Sequence, residues 1–153
     1  MIDEREGRIL LGLKKRKLGE GKYNGFGGRV EEGETPEQAA LREMAEEACI
    51  RADAKDLEKV AEIGFVYPHA KDKGWDQLVH VFVLRRWEGS PNETVEMAPE
   101  WFSVAAIPYR KMWGEDQHFL PLILEGKRLK AWFSFGEDNE KFEKHRIEVA
   151  EKI

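Results

Sequence analysis

One run constrains this chain more than any other: GRVEEGETPEQAALREMAEEACI, from Gly28 to Ile50. It predicts a tight glycine turn, an acidic loop and one helix. Thr35 suits the N-cap, Pro36 the first helical position, and Gln38 completes a capping box with Thr35. Glu43, Glu46 and Glu47 stand at i, i+3 and i+4 and share a helix face, while Leu41, Met44, Ala45 and Ala48 fall to the other side and predict the core contact. Carboxylates at i and i+4 repel, so the cluster is useful where something positive sits between them. Hard oxygen ligands on a rigid helix suit Mg²⁺ or Mn²⁺, and Mg²⁺ is commonly held by a few carboxylates together with substrate phosphates. A solvated acidic face has the same pattern, so the helix by itself does not choose.

The wider spacing does. From Gly28, five residues lead to Glu34 and seven more to Arg42-Glu43; an apolar residue and one more lead to Glu46-Glu47, followed by Ala48, Cys49 and Ile50. This resembles the Nudix box at every fixed position but one, since the family has glycine where this chain has Cys49. The glycine serves a left-handed helix terminus. Cysteine in the same backbone costs roughly 1 kcal/mol.

At 153 residues the chain is expected to form a single domain, 1–153, with one substantial core. Net charge is −5, which disfavours a nucleic-acid polymer as partner but not a nucleotide, because a bound cation recruits phosphate. The lone Cys49 fits a reducing cytoplasm. No apolar run is long enough to span a membrane, and the start, MIDEREGR, does not read as a signal peptide. A monomer is expected.

Arg8–Leu13 reads as a strand. The basic run Lys14–Lys17 reads as solvated apart from Lys14, which ends that strand pointing toward the glycine turn. In the segment Lys22–Gly28, glycines permit positive φ and close approach by a ligand, and Asn24 can either read a base edge or stabilise its own turn. Lys55–Leu57 reads as a turn. Val60–Tyr67 and Gln77–Arg85 read as a strand pair joined by the polar loop His69–Asp76. Gln77–Arg85, apolar on both faces, is expected to be a central strand, with His80 as a structural residue. Glu88–Pro99 reads as a polar loop, and Glu96 within it is the carboxylate chosen to complete a metal shell that helix ligands cover on one side only. A strand is expected at Glu100–Val104, a short helix at Gln117–Leu124, and a hairpin of Trp132–Phe135 with Lys141–Val149 across Gly136–Asn139. Trp113 offers an indole face beside Glu115 and Asp116. Spacing alone does not separate a base-binding set from a core Trp next to a helix start.

The stretches LLGLKKRKLGEGKYNGFGGRVEEGET, VHVFV, EMAPEWF and PYRKMWGEDQHFLPLIL are similar to the animal-type 8-oxo-dGTP diphosphatase branch of the Nudix superfamily. The resemblance implies an α/β (α+β) fold, an αβα sandwich around a mixed β-sheet. Nudix domains normally carry one further strand before Arg8–Leu13, which here is expected to be missing or truncated. The resemblance implies metal binding by Gly27, Gly28, Glu43, Glu46, Glu47 and Glu96. It places Lys14, Asn24, Phe26, Gly27, Gly28, Trp113, Glu115 and Asp116 at the substrate. Glu115 stands where that branch has a second aspartate, and Leu18 where it has an aromatic pocket residue.

The reaction implied is Mg²⁺-dependent hydrolysis (Mn²⁺ is also suited) of 8-oxo-dGTP or 2-hydroxy-dATP to monophosphate and pyrophosphate, as nucleotide-pool sanitation. The catalytic set would be Glu34, Arg42, Glu43, Glu46 and Glu47, with Glu46 or Glu47 as the base and Arg42 holding the glutamates. The rivals are a dinucleoside polyphosphate or ADP-ribose pyrophosphatase, weakly signalled by Tyr67-Pro68, and an inactive nucleotide-binding Nudix domain.

Overall fold

In the computed structural model, which describes residues 1–153, Pro36–Ala48 forms helix α1. The Thr35 hydroxyl accepts from the Gln38 N–H, and the Gln38 side chain accepts from the Thr35 N–H, so the capping box closes. Cys49 ends the helix at φ 59°, in the left-handed region, donating its N–H to the Ala45 carbonyl at 3.1 Å. The glycine-type terminus is kept, with an exposed cysteine in it.

Eight strands divide between two sheets. The first holds β1 (Ile2–Asp3), β2 (Arg8–Lys14), β3 (Tyr23–Asn24) and β6 (Met97–Ser103), all antiparallel. Here β2 is central, paired with β1 and β3 along one edge and with β6 along the other. That position explains its buried run Ile9, Leu10, Leu11. The register sets Lys14 opposite Met97, and the adjoining Lys15 N–H reaches the Glu96 carbonyl at 2.9 Å. The second sheet runs β5 (Gln77–Leu84), β4 (Leu57–Val66), β7 (Arg128–Phe135), β8 (Phe142–Ala150). It is mixed, with β4 parallel to β7 and β7 antiparallel to β8. Helix α2 covers Asp116–Leu124, and short 3₁₀ turns occupy Ala54–Asp56, Pro68–Lys73 and Tyr109–Lys111. No helix is long and apolar enough to cross a membrane.

The chain forms two compact units. The first comprises Met1–Glu58 and Val83–Trp113, the second Lys59–Phe82 and Gly114–Ile153. In the first, Met44 and Ala48 of α1 pack with Ile50 and Leu84, flanked by Phe26, Leu41, Leu57 and Trp87. In the second, β7 alternates strictly between exposed and buried residues up to Phe133. Its inward Phe133 is wholly buried and meets Phe119 of α2 at 6.3 Å and Phe142 at 5.1 Å between ring centroids. Burying such a ring contributes roughly 1.5–3 kcal/mol.

Three expectations are corrected. Gln77–Arg85 is an edge strand, not a central one: β5 lies at the end of its sheet, and Leu78 is 57% exposed. An apolar pattern on both faces reports side-chain chemistry, not the number of hydrogen-bonded neighbours. Ala45 is exposed while Glu47 is buried. The buried residues of α1 are Ala39, Met44, Glu47 and Ala48, with Leu41 half-buried, so the stripe is rotated toward Glu47, where the Gly27 turn and the end of β2 close over that side. The polar loop ends at Glu96 and β6 begins at Met97, three residues earlier than expected. The strand before Arg8 is present only as the two-residue β1.

Because Cys49 holds a left-handed backbone without contributing to the core, Cys49→Gly should stabilise the fold by about 1 kcal/mol. A thermal melt would register this as a rise of about 2–4 °C. An unchanged or lowered Tm would show that the cysteine bears no conformational cost.

Candidate active site

The site is assembled around Glu47. This carboxylate is 2% exposed. One oxygen accepts from the Gly27 N–H at 3.0 Å and the other from Lys14 Nζ at 3.1 Å. Burial pushes its carboxyl above the ordinary range, the Gly27 and Lys14 donors pull it back, and the Glu43 charge adds to the rise. Gly27 has φ 158°, and Gly28 follows it with no room for a side chain: a Cβ there would lie 2.1 Å from Glu43 Oε1. The glycines therefore admit Glu43 of the chain itself against the backbone of the turn.

Arg42 organises the outer carboxylates. Its Nε and Nη2 grip both oxygens of Glu34 at 2.9 and 3.0 Å, Nη1 reaches Glu43 at 2.8 Å, and Nη2 also donates to the Arg29 carbonyl at 3.1 Å. Glu46 lies 3.6 Å from Nη1, with its side chain 62% exposed. The three helix carboxylates thus share a side of α1 but occupy different surroundings: Glu47 buried, Glu43 clamped, Glu46 in solvent. Hydrogen bonds from Arg42, and one from the Glu31 N–H, hold the Glu34 carboxyl below the ordinary carboxylate range.

Glu96 sits 4.0 Å from the same Lys14 Nζ that bonds Glu47. It also bonds Arg16, and Lys17 at 3.3 Å. These two cations hold its carboxyl below the usual range. Lys15 reaches Glu93 at 2.6 Å and the Thr94 carbonyl at 2.8 Å. The run after Lys14 is exposed, as expected, yet each member has a carboxylate partner. Sequence reasoning missed Lys15, Arg16 and Lys17, whose partners lie 78–80 positions away and come close only through the β2–β6 register, and Thr94, whose hydroxyl lies 3.3 Å from the Glu47 carbonyl. The one available signal was a basic run directly abutting a strand end.

The expected substrate residues are placed less uniformly. Asn24 donates to the Lys22 carbonyl at 3.1 Å, its turn-stabilising alternative. Phe26 is half-buried against the Met44 cluster. Trp113 carries Lys22 Nζ at 4.9 Å over its ring and packs where a Cβ on Gly19 would stand. Leu18 is 84% exposed. In the second unit, Glu115 is buried at the start of α2, near enough to Tyr67 for its charge to raise the phenol's pKa behind the larger effect of burial. Asp116 is the first residue of α2.

No three acidic, histidine or cysteine side chains converge on a common point, and Lys14 and Arg42 stand among the carboxylates. The donor chemistry nonetheless fits a hard divalent cation. Glu43, Glu46, Glu47 and Glu96 offer oxygen only, the Gly27–Gly28 backbone adds carbonyls, and the two cations already neutralise charge where an ion could do so.

Fold and site together define a class. The NUDIX domain description matches residues 1–123, and this chain belongs to the Nudix family. It is similar to the oxidized purine nucleoside triphosphate hydrolase of Danio rerio, with 41% identity over 149 residues, 96% of this chain and 90% of that one. It is equally similar to the protein of the same name from Mus musculus, with 41% identity over 131 residues, 84% of this chain and 79% of that one. A MutT protein crystal structure from Bacillus halodurans superposes with a TM-score of 0.78 over 95% of this chain and 92% of that one, at 22% identity, and shows the shared fold.

The Glu34–Arg42 clamp should leave a signature in acid. A carboxyl with a depressed folded pKa stabilises the native state above its unfolded pKa, about 4.3, and that stabilisation is lost as pH falls through the folded value. The Tm difference between wild type and Glu34→Gln should be full at neutral pH and close in acid. A gap independent of pH would mean that the clamp contributes packing rather than charge.

Proposed function

We propose that this chain hydrolyses oxidised purine nucleoside triphosphates, 8-oxo-dGTP and 2-hydroxy-dATP, to the monophosphate and pyrophosphate in a Mg²⁺-dependent reaction. The proposal takes residues 1–153 as one catalytic domain acting in the cytoplasm. The observation that carries the reading is Glu47, a carboxylate held at 2% exposure by a backbone amide and a lysine within the box helix. A buried, raised carboxylate in such surroundings is the kind of group that active sites arrange and that folding alone disfavours. The substrate class is supported by the printed names of the Danio rerio and Mus musculus relatives, at 41% identity.

Glu43, Glu46, Glu47 and Glu96, with the Gly27 and Gly28 carbonyls, would hold the cation. When bound, Mg²⁺ supplies screening of phosphate charge and a more acidic water. Arg42 keeps Glu43 oriented from its anchor on Glu34. Either Glu46 or Glu47 takes the proton of the attacking water. Lys14, on the strand end beside Glu47, is placed to exchange its carboxylate partner for a phosphate oxygen. Trp113 stacks the base. Asn24 and Phe26 line the base site. Discrimination then rests on polar groups that the wrong base would leave unpaired.

Pyrophosphate release with Mg²⁺ from 8-oxo-dGTP, 2-hydroxy-dATP and dGTP tests this reading, with nucleotide products followed for diadenosine tetraphosphate and ADP-ribose. An oxidised triphosphate should be preferred, and Glu47→Gln should lower kcat by about 10²–10⁴-fold. Preference for either of the latter two compounds would move the chain to another Nudix pyrophosphatase class, and turnover of none would indicate a binding domain. Gly28→Ala should also cut turnover at least tenfold, because its Cβ evicts Glu43. Full activity in that variant would remove Glu43 from the site.

A further inference from the structure

The segment between Glu88 and Met97 does more than deliver Glu96. It runs against the C-terminal end of α1, where the last carbonyls of a helix have no partner within it. Arg51 and Glu88 exchange backbone hydrogen bonds at 3.2 and 2.8 Å, and the Asn92 N–H reaches the Ala48 carbonyl at 3.0 Å. The next contact is a side chain. Thr94 Oγ1 lies 3.3 Å from the Glu47 carbonyl, 3.2 Å from the Glu96 N–H and 3.1 Å from the Met97 N–H.

A hydroxyl has one proton and two acceptor positions. Here the two acceptor positions take the Glu96 and Met97 amides. The proton is directed at the Glu47 carbonyl, the nearer of the two in range at 3.3 Å; that of Met97, at 3.4 Å, also receives the Thr94 N–H at 2.8 Å. One oxygen atom therefore ties the backbone of Glu47 to that of Glu96, two residues 49 positions apart whose side chains face the same Lys14 ammonium. Lys15 braces the turn from outside through Glu93 and the Thr94 carbonyl.

We propose that Thr94 is a positioning residue that sets the spacing between the Glu47 and Glu96 carboxylates, and through it the affinity of the site for a divalent cation. This rests on the metal-dependent reading above. Thr94 touches neither cation nor substrate. It acts through the backbones of two residues that would touch the cation, as a partner outside a metal's own ligand set orients the ligands.

The test is Mn²⁺ binding without substrate, followed by the electron paramagnetic resonance signal of the free ion, on wild type, Thr94→Val, Thr94→Ala and Thr94→Ser. Valine keeps the shape and removes all three bonds, whereas serine keeps the hydroxyl. Thr94→Val should weaken Mn²⁺ binding about tenfold or more, while Thr94→Ser should stay within about twofold of wild type. In turnover assays the Thr94→Val loss should be recovered by raising Mg²⁺, with the nucleotide KM measured at saturating Mg²⁺ unchanged. If Thr94→Val does not fold by circular dichroism, Thr94→Ala carries the same expectation. Wild-type Mn²⁺ affinity in the folded hydroxyl-free variant, or failure of serine to rescue, overturns the role of Thr94. Absence of Mn²⁺ binding by wild type itself would instead overturn the metal-dependent reading on which the proposal stands.

Discussion

A carboxylate removed from water must be compensated where it lies, and the first unit of this protein is built around one such case. Glu47 is covered almost completely, and its two oxygens are satisfied by groups from two different elements: the ammonium of Lys14 at the end of β2 and the amide of Gly27 in the turn beyond β3. Leaving either oxygen unpaired would cost the full desolvation penalty of a buried charge. Strand, turn and helix are therefore held to one arrangement by the same side chain.

The remaining carboxylates are managed differently. Glu34 and Glu43 are drawn together by one guanidinium, whose rigid fork suits several oxygens at once. Glu46 stays in water, and Glu96 is surrounded by cations of the β2–β3 connection. Five glutamates thus sit in four electrostatic environments. Giving the carboxylates separate partners offsets the repulsion that clustered like charges otherwise bring.

Much of α1 was legible beforehand because its determinants are local. The capping box, the proline at the start, and the i, i+3, i+4 relation of Glu43, Glu46 and Glu47 all act within a few residues, and Thr35, Gln38 and Arg42 make the bonds that the spacing anticipates. The sequence left open whether cysteine in the glycine position would keep the left-handed terminus, and the structure keeps it. The closing hairpin was readable from a turn rich in Gly, Asp and Asn, although β7 begins at Arg128, four residues before the expected Trp132.

What the sequence determined by itself was the list of chemistry-bearing groups and the helix that carries most of them, because helix geometry converts spacing directly into a shared face. Only the tertiary structure decided which of those groups is buried. Glu47 and Glu46 are neighbours in sequence with the same side chain, yet one is enclosed by Lys14 and Gly27 and the other is left in solvent. The tertiary structure likewise made β5 an edge and brought Glu96 and Thr94 to the end of α1. These outcomes depend on strand order and on a register joining residues some 80 positions apart. Both are set by the packing of whole elements, which no local pattern encodes.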